Sequence, residues 1–591
     1  MDPDPDGRTP LRRLYAGSLR RTQERAERVL RREVREITPK KRHWRRDLVA
    51  GLPGAIASVP DGMASSVLAG VNPSHGLYAS VAGPITGGLT SSTRMMVVTT
   101  TSASALAAGS VLAGHDAGDR SAAMLLLTLV AGGVMLLAAL FRLSRYIRFV
   151  SYSVMLGFLT GVSVNIVLGQ LPDIAGVDAE GPFAAAKAWD LLTRLDERSL
   201  PTVATGLGAL LLLVVLAPTR LAVASSLVAL VLPTVAVLVT GADVVAVKDS
   251  GKIPQGLPLP QLPDLSLLDL DMITGGIAIA ALVLIQGAGV AEAVPNLDGS
   301  RSSMRRDFTA QGLANVASGF FGGQPVGGSV GQTALNATAG AVSRWGAIWA
   351  GIWMAVILVL LSGIVGEVAM PTLAAVLIYA GAASIHPREV VAVARTGVIP
   401  AVAMTATFVA VLLLPVAQAV GIGVIASLLL QLRQESLDLR IVRIERDGEG
   451  HLIESPVPRT LTRGELVVLE AYGSLFYAGA RTLQRRLPLP PEEAEPEGEA
   501  AATAVVLRLR GRTTLGATFL KVVGDYARGL EGAGARLYLS GVDPDLVERW
   551  SADGTLERLS GVHIEPATQI LGESTHAAVV ASREPPADRS E

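Results

Sequence analysis

Two stretches of this 591-residue chain decide how it is read: VVTTTSASALAAGS at Val97–Ser110 and, about 230 positions later, SVGQTALNATAGAVS at Ser329–Ser343. Each sits among long apolar segments yet is itself short, built of small residues and rich in hydroxyls. A membrane helix that starts partway across the bilayer reads this way, because its first turn exposes backbone N–H groups that only a polar hollow can satisfy. A matched pair of such half-helices points to a solute site inside a membrane protein.

The surrounding composition supports that reading. Half of the residues are hydrophobic, 17% are charged, and the mean hydropathy is +0.44. The apolar residues fall in blocks of roughly 17–25, the length that crosses a bilayer's hydrocarbon, so the chain is read as a polytopic α-helical membrane protein. About fourteen segments begin near Asp47, Gly76, Met95, Ala122, Tyr146, Pro201, Leu221, Ile273, Phe308, Ser329, Trp345, Ala369, Ile399 and Val416. The first 46 residues hold a dense run of Arg and Lys and no apolar h-region, so no cleavable signal is expected and the first span directs insertion.

Charge tests the segment count. With the basic N-terminus in the cytoplasm, the even-numbered connections are cytoplasmic, and these carry Arg94, Arg142, Arg145, Arg148, Arg220, Arg301, Arg305, Arg306, Arg344, Arg388 and Arg395. The alternate loops carry Asp173, Asp178, Glu180 and the acidic, Pro-rich Asp243–Asp271, with Lys187, Arg194, Arg198, Lys248 and Lys252 running against the trend. The positive-inside rule therefore predicts both termini in the cytoplasm. The two short segments are third and tenth. Seven spans reverse orientation, so a second set of seven is inverted relative to the first.

The expected organisation is a basic cytoplasmic region at 1–46 and a transmembrane domain at 47–432 with repeats at 47–247 and 273–432. A linker at 433–460, a soluble α/β domain at 461–585 and a tail at 586–591 follow. In the soluble domain Leu466–Ala471, Ala504–Leu509 and Ala535–Leu539 read as strands, and Ala478–Arg486 and Ala517–Leu530 as helices. A Pro/Glu-rich insertion at 488–502 is expected to be disordered. Ser18–Ile37 is an Arg-rich amphipathic helix candidate, suited either to anionic lipid or to resting on the cytoplasmic domain.

Candidate site residues follow from the cost of polar groups in hydrocarbon. Asp61 is the one carboxylate placed deep in a span, and its neighbours Pro60 and Gly62 suggest a distorted helix there. It reads as a coupling site for Na+ or H+, or as a structural acceptor. Thr99, Thr100, Thr101 and Ser102 open the third segment, while Gly328 and Ser329 open the tenth after Pro325 and Gly327. Facing helix N-termini form an anion site without Lys or Arg; small residues that let helices pack closely are the alternative account. Gln286, Gln332 and Asn336 add uncharged donors and acceptors, for which interhelical hydrogen bonding is the alternative account, and Glu292 falls near a cytoplasmic end. With no cysteine and seven scattered histidines, no metal site is expected, and no cofactor beyond a coupling ion.

Over Asp47–Ala581 the chain resembles the sulfate permease (SulP) family of anion transporters. The resemblance is carried by DLVAGLPGAIASVPDGMASSVLAGVNPSHGLYAS (Asp47–Ser80), QGLANVASGFFGGQPVGGSVGQTALNATAGA (Gln311–Ala341) and MPTLAAVLIYAGA (Met370–Ala382). It implies fourteen transmembrane segments as two inverted repeats of seven, arranged as core and gate domains, with a site between the third and tenth half-helices. It also implies a cytoplasmic α/β STAS domain and a homodimer. Against the family's pattern, Asp61 stands where Gln is usual and Gln286 replaces an acid. Gln332 replaces a basic residue, and Thr99-Thr100 replaces Gly-Pro. The pocket is thus about one unit more negative than the family's usual pattern, and Gly511–Gly516 lacks the Asp-Ser of phosphorylated antagonists.

The resulting expectation is a secondary active transporter of a small anion such as sulfate, bicarbonate or a dicarboxylate, working by alternating access with a cation or proton. It is not an enzyme, binds no nucleic acid, and sits in the lipid bilayer of a bacterial inner membrane. The alternatives are a proton-coupled carrier of a neutral or weakly acidic solute such as a nucleobase, an anion channel, and a non-transporting membrane anchor.

Overall fold

The computed structural model describes residues 43–583 apart from 145–150, 182, 220, 222–223, 251–255, 257–258, 297, 415–417, 420, 424, 427–428, 431–438, 492–502 and 560. The helix expected at Ser18–Ile37, the tail, and parts of the segment expected from Val416 lie outside the described residues. The chain divides into two compact units, Met1–Ser427 and Leu428–Glu591.

The first unit opens with helix α1 (Trp44–Leu68) and α2 (Ser74–Thr90). The short strand β1 (Val98–Thr100) leads into α3 (Ser102–Leu112), followed by α4 (Arg120–Leu140), α5 (Tyr152–Ala175), α6 (Ala184–Thr193), α7 (Leu200–Leu216) and α8 (Ser225–Thr240). The pattern then repeats. Helices α9 (Leu270–Ala293) and α10 (Met304–Phe320) precede strand β2 (Val326–Gly328) and α11 (Val330–Thr338), and α12 (Trp345–Gly366), α13 (Met370–Ala383), α14 (Pro387–Thr396) and α15 (Val398–Leu413) follow. Among the described residues, α4, α5, Leu270–Glu292 and Met370–Thr396 are long and apolar enough to cross a bilayer.

Packing shows the two-fold repeat that spacing suggests. α1 packs on α12 as α9 packs on α4; α2 packs on α12 as α10 packs on α4; and α11 lies against α1 as α3 lies against α9. These form the core domain. In the gate domain α5 packs on α15 as α13 packs on α7. The ten-residue helices α6 and α14, absent from the sequence reading, each follow the fifth segment of their half. At the α1–α2 crossing the backbones touch: a Cβ on Gly76 would fall 1.8 Å from the Gly62 carbonyl oxygen. Helix α1 continues as a single helix through Pro60 and Gly62, the positions where distortion is expected. The proline removes one N–H from the ladder, and α1 packs on α2 and α12.

Strands β1 and β2 pair antiparallel, with Val98 opposite Gly328, Thr99 opposite Gly327 and Thr100 opposite Val326. This ribbon ties the halves together and sends α3 and α11 off in opposite directions.

The second unit is a six-stranded sheet in the order β4-β3-β5-β6-β7-β8. Its strands are β3 (Arg440–Arg446), β4 (Leu452–Ser455), β5 (Leu466–Tyr472), β6 (Ala504–Arg508), β7 (Arg536–Val542) and β8 (Val562–Pro566). β5 to β8 are parallel, and β3 pairs antiparallel with both β4 and β5. Strand alternation sends Val505, Leu507, Leu537 and Leu539 toward Leu483 of α16 (Tyr477–Arg486) and Phe519 of α17 (Ala517–Glu531). Val506 and Tyr538 face the opposite side, where Ala578 of the C-terminal helix Glu573–Ala581 covers them. Two expectations change here. Residues 440–455, assigned to a linker, form the β3–β4 hairpin of the sheet. The insertion does not begin at 488, because Leu489 bridges Thr460 and the Tyr526 hydroxyl donates to the Pro488 carbonyl at 2.8 Å. Burial raises the Tyr526 phenol above its ordinary pKa.

Candidate functional site

The first unit encloses a cavity of about 860 Å³ between its core and gate helices. The tips of α3 and α11, the middle of α1, and Gln286 of α9 form its core wall; α5, α8, α13 and α14 supply the gate wall. Both tips are capped in the same way. Thr101, in an extended conformation, accepts from Ser104 N at 3.2 Å, and Ser329, also extended, accepts from Gln332 N at 3.3 Å. A hydroxyl at the cap satisfies one orphan N–H and leaves the first two of each helix free. Ser102, Ala103, Val330 and Gly331, which carry those groups, all line the cavity.

Asp61 projects from α1 onto the same wall and accepts from Gln332 Nε2 at 2.9 Å, which joins the first span to the first turn of α11. Gln286 Oε1 lies 3.4 Å from Thr101 Oγ1, joining α9 to the cap of α3. Asp61, Gln286, Thr100, Thr101, Ser102, Ser329 and Gln332 are thus brought to one cavity. Thr99 and Gly328 are not. Thr99 is a strand residue whose Oγ1 reaches Ser80 Oγ at 3.5 Å, and Gly328 packs against Gly287 and Met96, where a Cβ would sit 3.1 Å from each. Thr100 also belongs to β1, so α3 begins later than expected: strand pairing takes the first two threonines, and the third becomes the cap.

Several supporting residues carried no assignment from sequence. Asn315 holds both backbone groups of Val326, donating to its oxygen at 2.7 Å and accepting from its nitrogen at 2.9 Å. Gln311 Oε1 accepts from Gly328 N at 3.3 Å, and Gln324 joins Ser65 and Ser66 of α1. The available signal was polar side chains within an otherwise apolar segment beside Gly and Pro. Asn336, read as a site candidate, instead donates to the Met95 carbonyl at 3.2 Å, and Glu292 is exposed.

The ionisable side chains on the described cavity wall are Asp61, Tyr152, Tyr379, His386 and Glu389, and no Lys or Arg is among the described lining residues. Tyr152 of α5 donates to Glu389 of α14 at the gate end. Among the described residues no three His, Asp or Glu side chains gather as a metal site.

The same arrangement of helices occurs in known transporters. The chain is 28% identical over 530 residues to a probable sulfate transporter, MT1781, of Mycobacterium tuberculosis, covering 88% of this chain and 94% of the relative. It is 26% identical over 450 residues to the putative sulfate transporter YvdB of Bacillus subtilis, covering 75% and 82%. The structure of the murine Slc26a9 anion transporter in the inward-facing state superposes with a TM-score of 0.77 over 92% of both chains at 16% identity, a likeness of fold. The model of the sulfate permease family matches residues 44–407, well over half of the chain. The protein belongs to the sulfate permease family, whose members are membrane transporters and not enzymes.

Proposed function

We propose that the protein is a secondary active transporter of a small anion, of the kind that sulfate, bicarbonate or a dicarboxylate represents. The observation that carries this reading is the pair of capped helix tips, α3 and α11, presenting free N–H groups to one cavity between core and gate. Those groups replace part of the anion's hydration, and movement of the core against the gate opens the cavity to each side in turn. Asp61 is the coupling group, taking Na+ or a proton beside the cargo. Both termini lie in the cytoplasm, a reading that the arginine-rich connections support. The C-terminal unit is a STAS domain, and the assembly is a homodimer in a bacterial inner membrane.

Asp61 and a cation-free wall also suit the second reading, a proton-coupled carrier of a neutral or weakly acidic solute such as a nucleobase. Uptake into liposomes holding the purified chain separates the two. Saturable anion uptake driven by an imposed sodium or proton gradient, with competition among anions, supports the first. Competition by nucleobases alone replaces it with the second, and currents too large for a carrier cycle indicate a channel.

A further inference from the structure

We infer that the site takes anions of a single negative charge and rejects dianions of the same shape. This deepens the anion reading and rests on it. The argument is an inventory of charge around one cavity. Its positive potential comes from the two helix tips, each equivalent to about half a unit charge, or about one unit together. No Lys or Arg among the described lining residues adds to it. Against it stands Asp61, and at the gate end Glu389 faces the cavity together with His386.

Asp61 is half-buried and has one recorded partner, Gln332 Nε2, an uncharged donor that orders the carboxylate without cancelling its charge. Gln332 is 6% exposed, lines the cavity, and has an Oε1 with no hydrogen-bond partner among the described residues. An unpaired acceptor offers an anion nothing, so Gln332 adds no compensation to the positive side of the inventory. With Asp61 ionised, the tips cancel it and the cargo's own charge is left uncompensated. With Asp61 neutralised by a coupling ion, the tips balance one negative charge and no second one. In both states a dianion leaves one more charge unmet than a monoanion does, in a setting where water screens it poorly. The wall also offers acceptors, Asp61 and Gln286 Oε1, beside its N–H donors. A singly charged oxyanion bearing its own hydroxyl can satisfy both kinds of group at once.

Perchlorate and sulfate are tetrahedral oxyanions that differ by one charge, and perrhenate and tungstate are a larger tetrahedral pair of the same kind. Binding of all four to the purified full-length chain is titrated at constant ionic strength. The monoanion of each pair binds at least about tenfold more tightly. In Gln332→Arg, which adds a cation beside Asp61, the preference shrinks or reverses. Sulfate binding to the unmodified chain as tightly as perchlorate overturns the inference and leaves the anion reading standing. Absence of binding by all four overturns the anion reading itself.

Discussion

The two half-helix tips reach the same geometry by different means. The lead into α3 is a run of threonines, whose branched side chains favour an extended backbone unaided. The only side-chain hydrogen bond on β1 among the described residues is the long Thr99–Ser80 approach of 3.5 Å. The lead into α11 holds Gly327 and Gly328, which give the close approach to Gly287 but lose the most conformational freedom on ordering. That strand is accordingly braced from α10, by Asn315 on Val326 and Gln311 on Gly328. One tip carries its order in its own residues; the other receives it from a neighbouring helix.

Removing the brace is the severest test of that contrast. Asn315→Ala strands a buried N–H and a buried C=O on Val326 and should lower stability by about 2–5 kcal/mol, read as a shift of the unfolding transition in detergent. Next comes Gln332→Ala, which deprives Asp61 of its donor; uptake driven by an imposed gradient should fall about 10–100-fold while the folded fraction holds. Thr101→Ala and Ser329→Ala each remove a cap and should cost about 1 kcal/mol of stability, with a larger transport defect for Thr101 because it also meets Gln286. The smallest effect belongs to Ser80→Ala, within about 0.5 kcal/mol, since the threonine strand does not depend on it. Equal losses for Asn315→Ala and Ser80→Ala would erase the distinction between the tips.

Much of this arrangement was legible before any coordinates, because hydrophobic block length, arginine placement and the two hydroxyl-rich stretches are local signals. Asp61, Gln286 and Gln332 stood out because polar groups in hydrocarbon demand partners. What stayed hidden depended on contacts between distant segments. Three successive threonines can each serve as strand or cap, and only pairing with Val326–Gly328 fixes Thr101 as the cap. Asn315 in sequence is one of two amides on a helix that also carries Arg305, Arg306 and Asp307, with nothing to say which backbone it meets. Helices α6 and α14 are too short for a periodic pattern to separate them from loop. The alternation of Arg440–Arg446 was obscured by its charges, which paired strands place at the sheet's surface.

The ribbon joining Val98 to Gly328 also bears on biogenesis. Its partners are about 230 residues apart in sequence, so the first half emerges from the ribosome with β1 lacking its other edge. Until β2 follows, that exposed backbone must be sheltered by lipid headgroups, water or the insertion machinery, since hydrocarbon offers it no hydrogen bond. A nascent chain arrested before residue 326 should therefore stay sensitive to quality-control proteases, however well its individual spans have been threaded.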